Sequence, residues 1–221
     1  MNQNNEVIEK VGVKFDLIKF MEARRLTIDC VHKIANEICE GMSESTCLEL
    51  LEKEIVARGG WTKWHPSKFR IGKNTLKSFR EKSDEEVILK ANDVFFMDIG
   101  PVFEGHEGDY GETFWVGNNL EYKNICFKVK EIFAEVKNFW KKEQVSGKQL
   151  YVFAEQSAKK NGYLLNLKMN GHRIGDFPHA VHFRGSLDEL DFTPQQNLWV
   201  LEILIRHPTK DFGAFYEDLL T

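Results

Sequence analysis

Three acids stand inside runs of apolar sequence that read as strands. Asp98 interrupts Val94-Phe95-Phe96-Met97-Asp98-Ile99. Glu202 lies within Leu198-Trp199-Val200-Leu201-Glu202-Ile203-Leu204-Ile205, and Glu217 follows Phe215-Tyr216 ahead of Leu219-Leu220. An ionised carboxylate in an apolar strand is costly unless a cation or strong donors meet it. A single acid of this kind fits an edge strand. Three in one chain of 221 residues point to a shared positive charge, around which the strands must gather.

Spacing sharpens the expectation. Asp98 and Asp109 flank a hairpin punctuated by Pro101 and Gly105. A turn centred between Phe103 and Glu104 sets the two Asp directly opposite each other. Opposed residues share a face, with Cβ atoms about 4.5–5.5 Å apart. That separation suits a metal pair about 3.5–4 Å across. Glu202 and Glu217 repeat the device around His207-Pro208-Thr209-Lys210-Asp211, a turn centred between Thr209 and Lys210. A nitrogen donor is offered by His172 in Asn170-Gly171-His172-Arg173-Ile174-Gly175, where the glycines free the backbone to present the ring closely. Pro178-His179 follows seven residues on.

Around these motifs the chain alternates helices and strands. Residues 15–40 carry Ile28, Val31, Ala35 and Ile38 on one face of an amphipathic helix that Gly41 ends. Ser43 is the N-cap expected for a helix over 44–58, closed by Gly59-Gly60. A third helix spans 121–142. The capping-box pattern Ser146-Gly147-Lys148-Gln149 opens a fourth, ending near Gly162. Strands are expected at 94–99, 109–116, 164–169, 198–206 and 213–220. Two helix pairs, each followed by strands, form a weak internal duplication and favour α+β with an antiparallel sheet. Residues 1–12 read as a polar N-terminal tail and 13–221 as one domain.

Bulk properties remove several classes. A net charge of −4 gives no case for nucleic acid or an anionic membrane as partner. No apolar run approaches the roughly 20 residues that span a bilayer. The start, Met1-Asn2-Gln3-Asn4-Asn5-Glu6, lacks a basic and an apolar signal region, so a cytoplasmic protein is expected. Cys30, Cys39, Cys47 and Cys126 form no C-x-x-C pair, and read as buried reduced thiols in helical segments.

Taken together, Asp98-x10-Asp109, Gly171-His172-Arg173-Ile174-Gly175, Phe177-Pro178-His179 and the two late glutamates resemble the pita-bread metallopeptidases, the family of methionine aminopeptidases, aminopeptidase P and prolidase. The likeness spans nearly the whole chain. It implies an α+β pita-bread fold of two pseudo-symmetric halves, with an antiparallel sheet covered by helices. It implies Asp98, Asp109, His172, Glu202 and Glu217 as the cage for two divalent ions, with Asp109 and Glu217 bridging. Manganese or cobalt is the metal implied, with zinc or iron as alternatives. The resemblance also implies a mechanism, in which a metal-bridged hydroxide attacks the N-terminal peptide bond. Glu202 is then ligand and proton shuttle, and His179 contacts the substrate and stabilises the tetrahedral intermediate. The expected activity is that of an Xaa-Pro aminopeptidase or dipeptidase. A methionine aminopeptidase and a non-catalytic pita-bread binding protein are the alternatives, and a metal-independent, creatinase-like enzyme is a third. The expected partner is a peptide, and a homodimer is compatible with the resemblance.

The chain departs from the family pattern in three places. No histidine follows the Gly72-Lys73-Asn74 loop, where the family carries a substrate-side one, and His65 is the nearest candidate. Ile203, not proline, follows Glu202. The sequence enters the helices almost directly, so no counterpart of the amino-terminal domain of aminopeptidase P and prolidase is expected within it. Other residues have plainer readings. Asp218 faces away from the cage as a structural acid, and Glu112 and Asp176 are surface or turn acids. His106 lies beside the turn and faces solvent, with the edge of the cleft as the alternative, and His182 and His207 are solvated or structural. Trp61, Trp64 and Trp199 belong to core or interface.

Overall fold

A computed structural model describes residues 7–85, 87–179 and 183–221. Helix α1 (Leu17–Ala35) is capped by Asp16, whose side chain accepts from the Ile18 and Lys19 amides. It buries Phe20, Ala23, Thr27, Cys30, Val31 and Ile34. The buried stripe therefore lies beside the expected one. The helix also stops at Ala35, well before Gly41, although Ile38 beyond it is still buried. Helix α2 (Glu44–Ala57) starts at the expected Ser43 cap. Strands β1 (Lys68–Ile71), β2 (Asp93–Ile99), β3 (Val102–Phe103), β4 (His106–Glu107) and β5 (Tyr110–Val116) follow.

The second half repeats the plan. Helix α3 (Leu120–Glu143) precedes α4 (Gly147–Lys160), whose capping box between Ser146 and Gln149 forms as expected. Strands β6 (Leu164–Leu165), β7 (His172–Arg173), β8 (Trp199–Arg206) and β9 (Gly213–Leu219) complete it. The strand expected over 164–169 is only β6, because its pairing with β8 covers Leu164 and Leu165 alone. Removal of the Ser146 hydroxyl by Ser146→Ala should cost about 1 kcal/mol in equilibrium unfolding, whereas Ser146→Thr should cost less.

The strands join in the order β1-β2-β5-β9-β8-β6, with β7 also on β8, and all pairs are antiparallel. Alternation along the strands assigns the two faces. Phe95, Met97 and Ile99 pack with α1 and α2, whereas Leu201, Ile203 and Ile205 pack with α3 and α4. The opposite face carries a small apolar cluster of Phe96, Met169, Leu204 and Phe215, and it carries the acids. No helix among the described residues is long and apolar enough to cross a membrane. Residues 8–12 lie against the body. Buried Arg173 donates to the Ile8 and Lys10 carbonyls, the Trp199 indole N–H to Glu9 and the Gly12 amide to Asp176.

Several side chains differ from expectation. Glu112 is buried, not superficial. Its strand position turns it under the helices, where Tyr110, Lys130 and His32 donate to it. These donors outweigh burial and hold its carboxyl below the usual range. His106 is also buried, its Nε2 accepting from the Asp16 amide at 2.9 Å. Cys39 is exposed, because α1 has ended before it, while Cys30, Cys47 and Cys126 are buried. Trp199 is core, but Trp61 and Trp64 are 45% and 36% exposed. Asp218 faces the helices as expected and accepts from Nε and Nη2 of the Arg24 guanidinium. His182 lies outside the described residues.

Candidate metal centre

The acids meet in one row across the middle of the sheet. Asp98 on β2 pairs with Gly111 on β5, Gly111 with Glu217 on β9, and Glu217 with Glu202 on β8. Paired residues share a face, so the three carboxylates project to the same side. Gly111 contributes no side chain, and that leaves space in the middle of the row. A Cβ there would stand 2.5 Å from the Phe215 ring and 2.8 Å from Glu217 Oε1. Gly111→Ala should therefore cost about 1–3 kcal/mol by overpacking, read as a lower thermal midpoint.

The Glu202–Glu217 pairing is the one expected from their turn. The first hairpin is in a different register. Phe103 pairs with His106, so the turn is Glu104-Gly105, with φ of 47° and 80°. Two consecutive positive φ values match the strand twist of a two-residue hairpin. Asp98 therefore faces Gly111, and Asp109 lies two residues before that partner. A shift of two positions keeps the side chain on the same face, and Asp109 still reaches the cluster.

His172 arrives on β7, opposite Val200, which lies two residues before Glu202 on β8. Gly171 has φ +71°, and a Cβ there would meet the Val200 carbonyl at 2.5 Å, so glycine is required for this approach. The Gly171 amide also donates to Glu202 Oε2 at 2.6 Å. From α4, buried Tyr151 holds the Glu202 backbone by donating to its carbonyl at 3.0 Å.

Donor atoms of His65, Asp98 and Asp109 all lie within 4.8 Å of one another. The same holds for Asp109, His172 and His179, and for His172, Glu202 and Glu217. The three groups overlap through Asp109 and His172 and outline one continuous site. His172 Nε2 is 2.9 Å from Asp109 Oδ2, close enough for an ion pair although neither Asp109 oxygen has hydrogen-bond geometry to a partner. Glu217 Oε1 is likewise buried without a hydrogen bond. Four buried carboxylates therefore share one site with the imidazoles of His65, His172 and His179.

The electrostatics reflect this crowding. Burial, with Asp109 and Glu202 adding to it, pushes Asp98 up to about 8. Burial and the neighbouring acids raise Glu217 well above its ordinary value, and burial raises Glu202. Burial also acts against Asp109, but His172 and the other two imidazoles hold it below the usual range. For His172, burial is overcome by Asp109 and Glu202, which lift it to about 10. Carboxylates that resist ionising together, with oxygens lacking donors, fit an oxygen-rich site for divalent cations.

The two remaining candidates border this group. The His65 ring stacks on Phe79 at 4.7 Å, and burial lowers its basicity. It comes from a loop before the Gly72-Lys73-Asn74 turn, yet it reaches Asp98 and Asp109. The His179 ring lies 4.6 Å from that of His172 and edge-on to Trp64. Trp61 and Trp64 are both edge-on to Phe177, so these exposed indoles border the site instead of filling the core. A cleft of about 710 Å³ opens over Asp98, Glu202 and Glu217, lined also by His65, His172 and His179. Glu107 escaped the sequence reading. It is buried beside His179, and its position two residues before Asp109 in an alternating segment was the available signal.

The comparisons agree with this architecture. Residues 19–220 match the sequence profile of metallopeptidase family M24. A methionine aminopeptidase from Archaeoglobus fulgidus is 24% identical over 164 residues, covering 74% of this chain and 54% of that protein. An X-Pro aminopeptidase from Thermotoga maritima superposes with a TM-score of 0.79 at 20% identity, over 100% of this chain and 65% of that one. A methionine aminopeptidase from Thermotoga maritima gives 0.74 at 12% identity, over 96% and 98%. The chain thus spans only about half the length of the Archaeoglobus relative and under two thirds of the X-Pro enzyme. The fold is that of the pita-bread enzymes, and the chain belongs to metallopeptidase family M24.

Proposed function

We propose that the chain is a dinuclear-metal peptidase that cleaves the N-terminal peptide bond of peptides, with Xaa-Pro substrates first. The observation that carries this reading is the row Asp98–Gly111–Glu217–Glu202, completed by Asp109 and His172, with buried carboxylate oxygens that lack donors. Asp98, Asp109, His172, Glu202 and Glu217 would hold two divalent cations, manganese or cobalt in the first instance. Such ions, when bound, supply Lewis acidity that activates water and polarises a carbonyl. Glu202 has one oxygen on the Gly171 amide, and in this reading its carboxylate takes a proton from water and passes it toward the leaving amine. The carbonyl oxygen, as it gains charge, receives a hydrogen bond from the Nε2–H of His179, whose ring lies edge-on to His65 at 6.2 Å. Burial of the cleft floor strengthens each of these interactions.

The test is hydrolysis of an Xaa-Pro peptide and a Met-Ala peptide by the manganese-loaded chain. Faster turnover of the proline peptide is expected. Preference for the methionine peptide would replace the Xaa-Pro reading by the methionine aminopeptidase one. A metal-loaded chain that cleaves neither, yet binds peptides, would be a binding protein. Manganese at about 100 times its Kd should also stabilise the fold by about 2.7 kcal/mol. At about 2–4 °C per kcal/mol this is a rise of roughly 5–10 °C in thermal midpoint. An unchanged midpoint would count against the site.

A further inference from the structure

Glu107 is a buried acid beside the proposed metal cage that the cage does not use. It sits on β4, outside the row of carboxylates, and its side chain is only 1% exposed. Its Oε2 is 2.9 Å from His179 Nδ1. Its Oε1 is buried with no hydrogen-bond partner, and so is His65 Nδ1. These two unpartnered atoms border the same small space. A Cβ built on Gly100 would stand 2.8 Å from Glu107 Oε1 and 2.9 Å from His65 Nδ1. One carboxylate is therefore set between the two cleft histidines, behind them and away from solvent.

The geometry points to Glu107 as a positioning residue for His179, one that accepts from Nδ1–H and so holds the ring with its Nε2–H turned toward the substrate carbonyl. A carboxylate acceptor at one ring nitrogen fixes the orientation of the ring and leaves the other nitrogen to face the cleft. A ring free to rotate about its two side-chain torsions would present Nε2 only part of the time. The lack of a side chain at Gly100 lets the same acid face His65, so His65 is a second ring exposed to its charge. The inference rests on the proposal that His179 meets the substrate carbonyl.

Two substitutions separate the hydrogen bond from simple packing. Glu107→Gln keeps an acceptor oxygen at the same reach, whereas Glu107→Met keeps the length and removes the acceptor. The full chain carrying ¹⁵N-histidine reports the ring state directly, with the His179 signals assigned by their loss in His179→Gln. The parent and Glu107→Gln should show His179 protonated at Nδ1, while Glu107→Met should lose the hydrogen-bonded Nδ1–H signal. In turnover of the manganese-loaded chain, Glu107→Met should lower kcat by about 10–100-fold, the cost typical of losing an orienting partner. KM should stay within about threefold, and Glu107→Gln should recover most of the rate. An unchanged His179 signal in Glu107→Met, with the protein folded, would overturn the proposal. The ring signal decides the positioning role by itself. If it responds but no peptide is cleaved, positioning stands and the peptidase reading fails.

Discussion

Asp109→Ala should lower kcat/KM of the manganese-loaded chain by about 10³-fold, since a bound metal is worth several kcal/mol of transition-state stabilisation. Asp109 is the acid at which the site's overlapping donor groups meet. It lies within 4.8 Å of Asp98 and His65 on one side, and of His172 and His179 on the other. Both its oxygens are buried without hydrogen-bond geometry to any partner. Its loss therefore opens both parts of the proposed cage at once, and leaves His172 without the nearest carboxylate that supports its charge. The fold should survive, because removing one of several mutually repelling acids relieves as well as disrupts. The measurement is steady-state hydrolysis beside a thermal melt. A folded variant with parental kcat/KM would show that Asp109 holds no catalytic metal.

Trp199→Ala should cost about 3–5 kcal/mol, the range for deleting a large aromatic from a core. Trp199 has 0% exposure and begins β8, three residues before Glu202. It packs in the core of the second half, with Phe183 edge-on at 5.7 Å. Its indole N–H donates to Glu9 at 2.8 Å, so the truncation also frees a chain segment that crosses from the first residues. At about 2–4 °C per kcal/mol the thermal midpoint should fall by roughly 6–20 °C. Trp199→Phe should fall by much less, because it keeps most of the buried area and loses only the hydrogen bond. Equal losses for both would mean that the Glu9 contact, not volume, holds this corner.

Particular residues explain which features could be read from sequence. Acids inside apolar runs were informative because burial of charge has few solutions, and Asp98, Glu202 and Glu217 do face one another. The turn at 207–211 allowed the correct pairing of Glu202 with Glu217. The first hairpin did not, because Glu104 adopts a positive φ that a glutamate does not advertise. Capping residues Ser43 and Ser146 act locally and were read correctly. Glu112 and His106 were misjudged, since their burial depends on α1 and the start of that helix folding back over the strands. Glu107 was missed for a related reason. Its partner lies 72 residues away, and spacing along one strand does not reveal a contact at that distance. His65, the nearest candidate for a substrate-side histidine in the sequence, reaches Asp98 and Asp109 from a loop outside the usual motif order.

The central claim is that these five side chains form a cage for two cations. The most direct measurement is the metal content per chain after loading with manganese and removing the excess, run beside Asp98→Ala. Asp98 ends one side of the row, and its removal leaves the proposed site short of an oxygen donor. About two metals per parent chain are expected, as in other two-ion sites, with a clear loss in the variant. If neither protein retains metal, the acids answer to another partner and the cage is refuted.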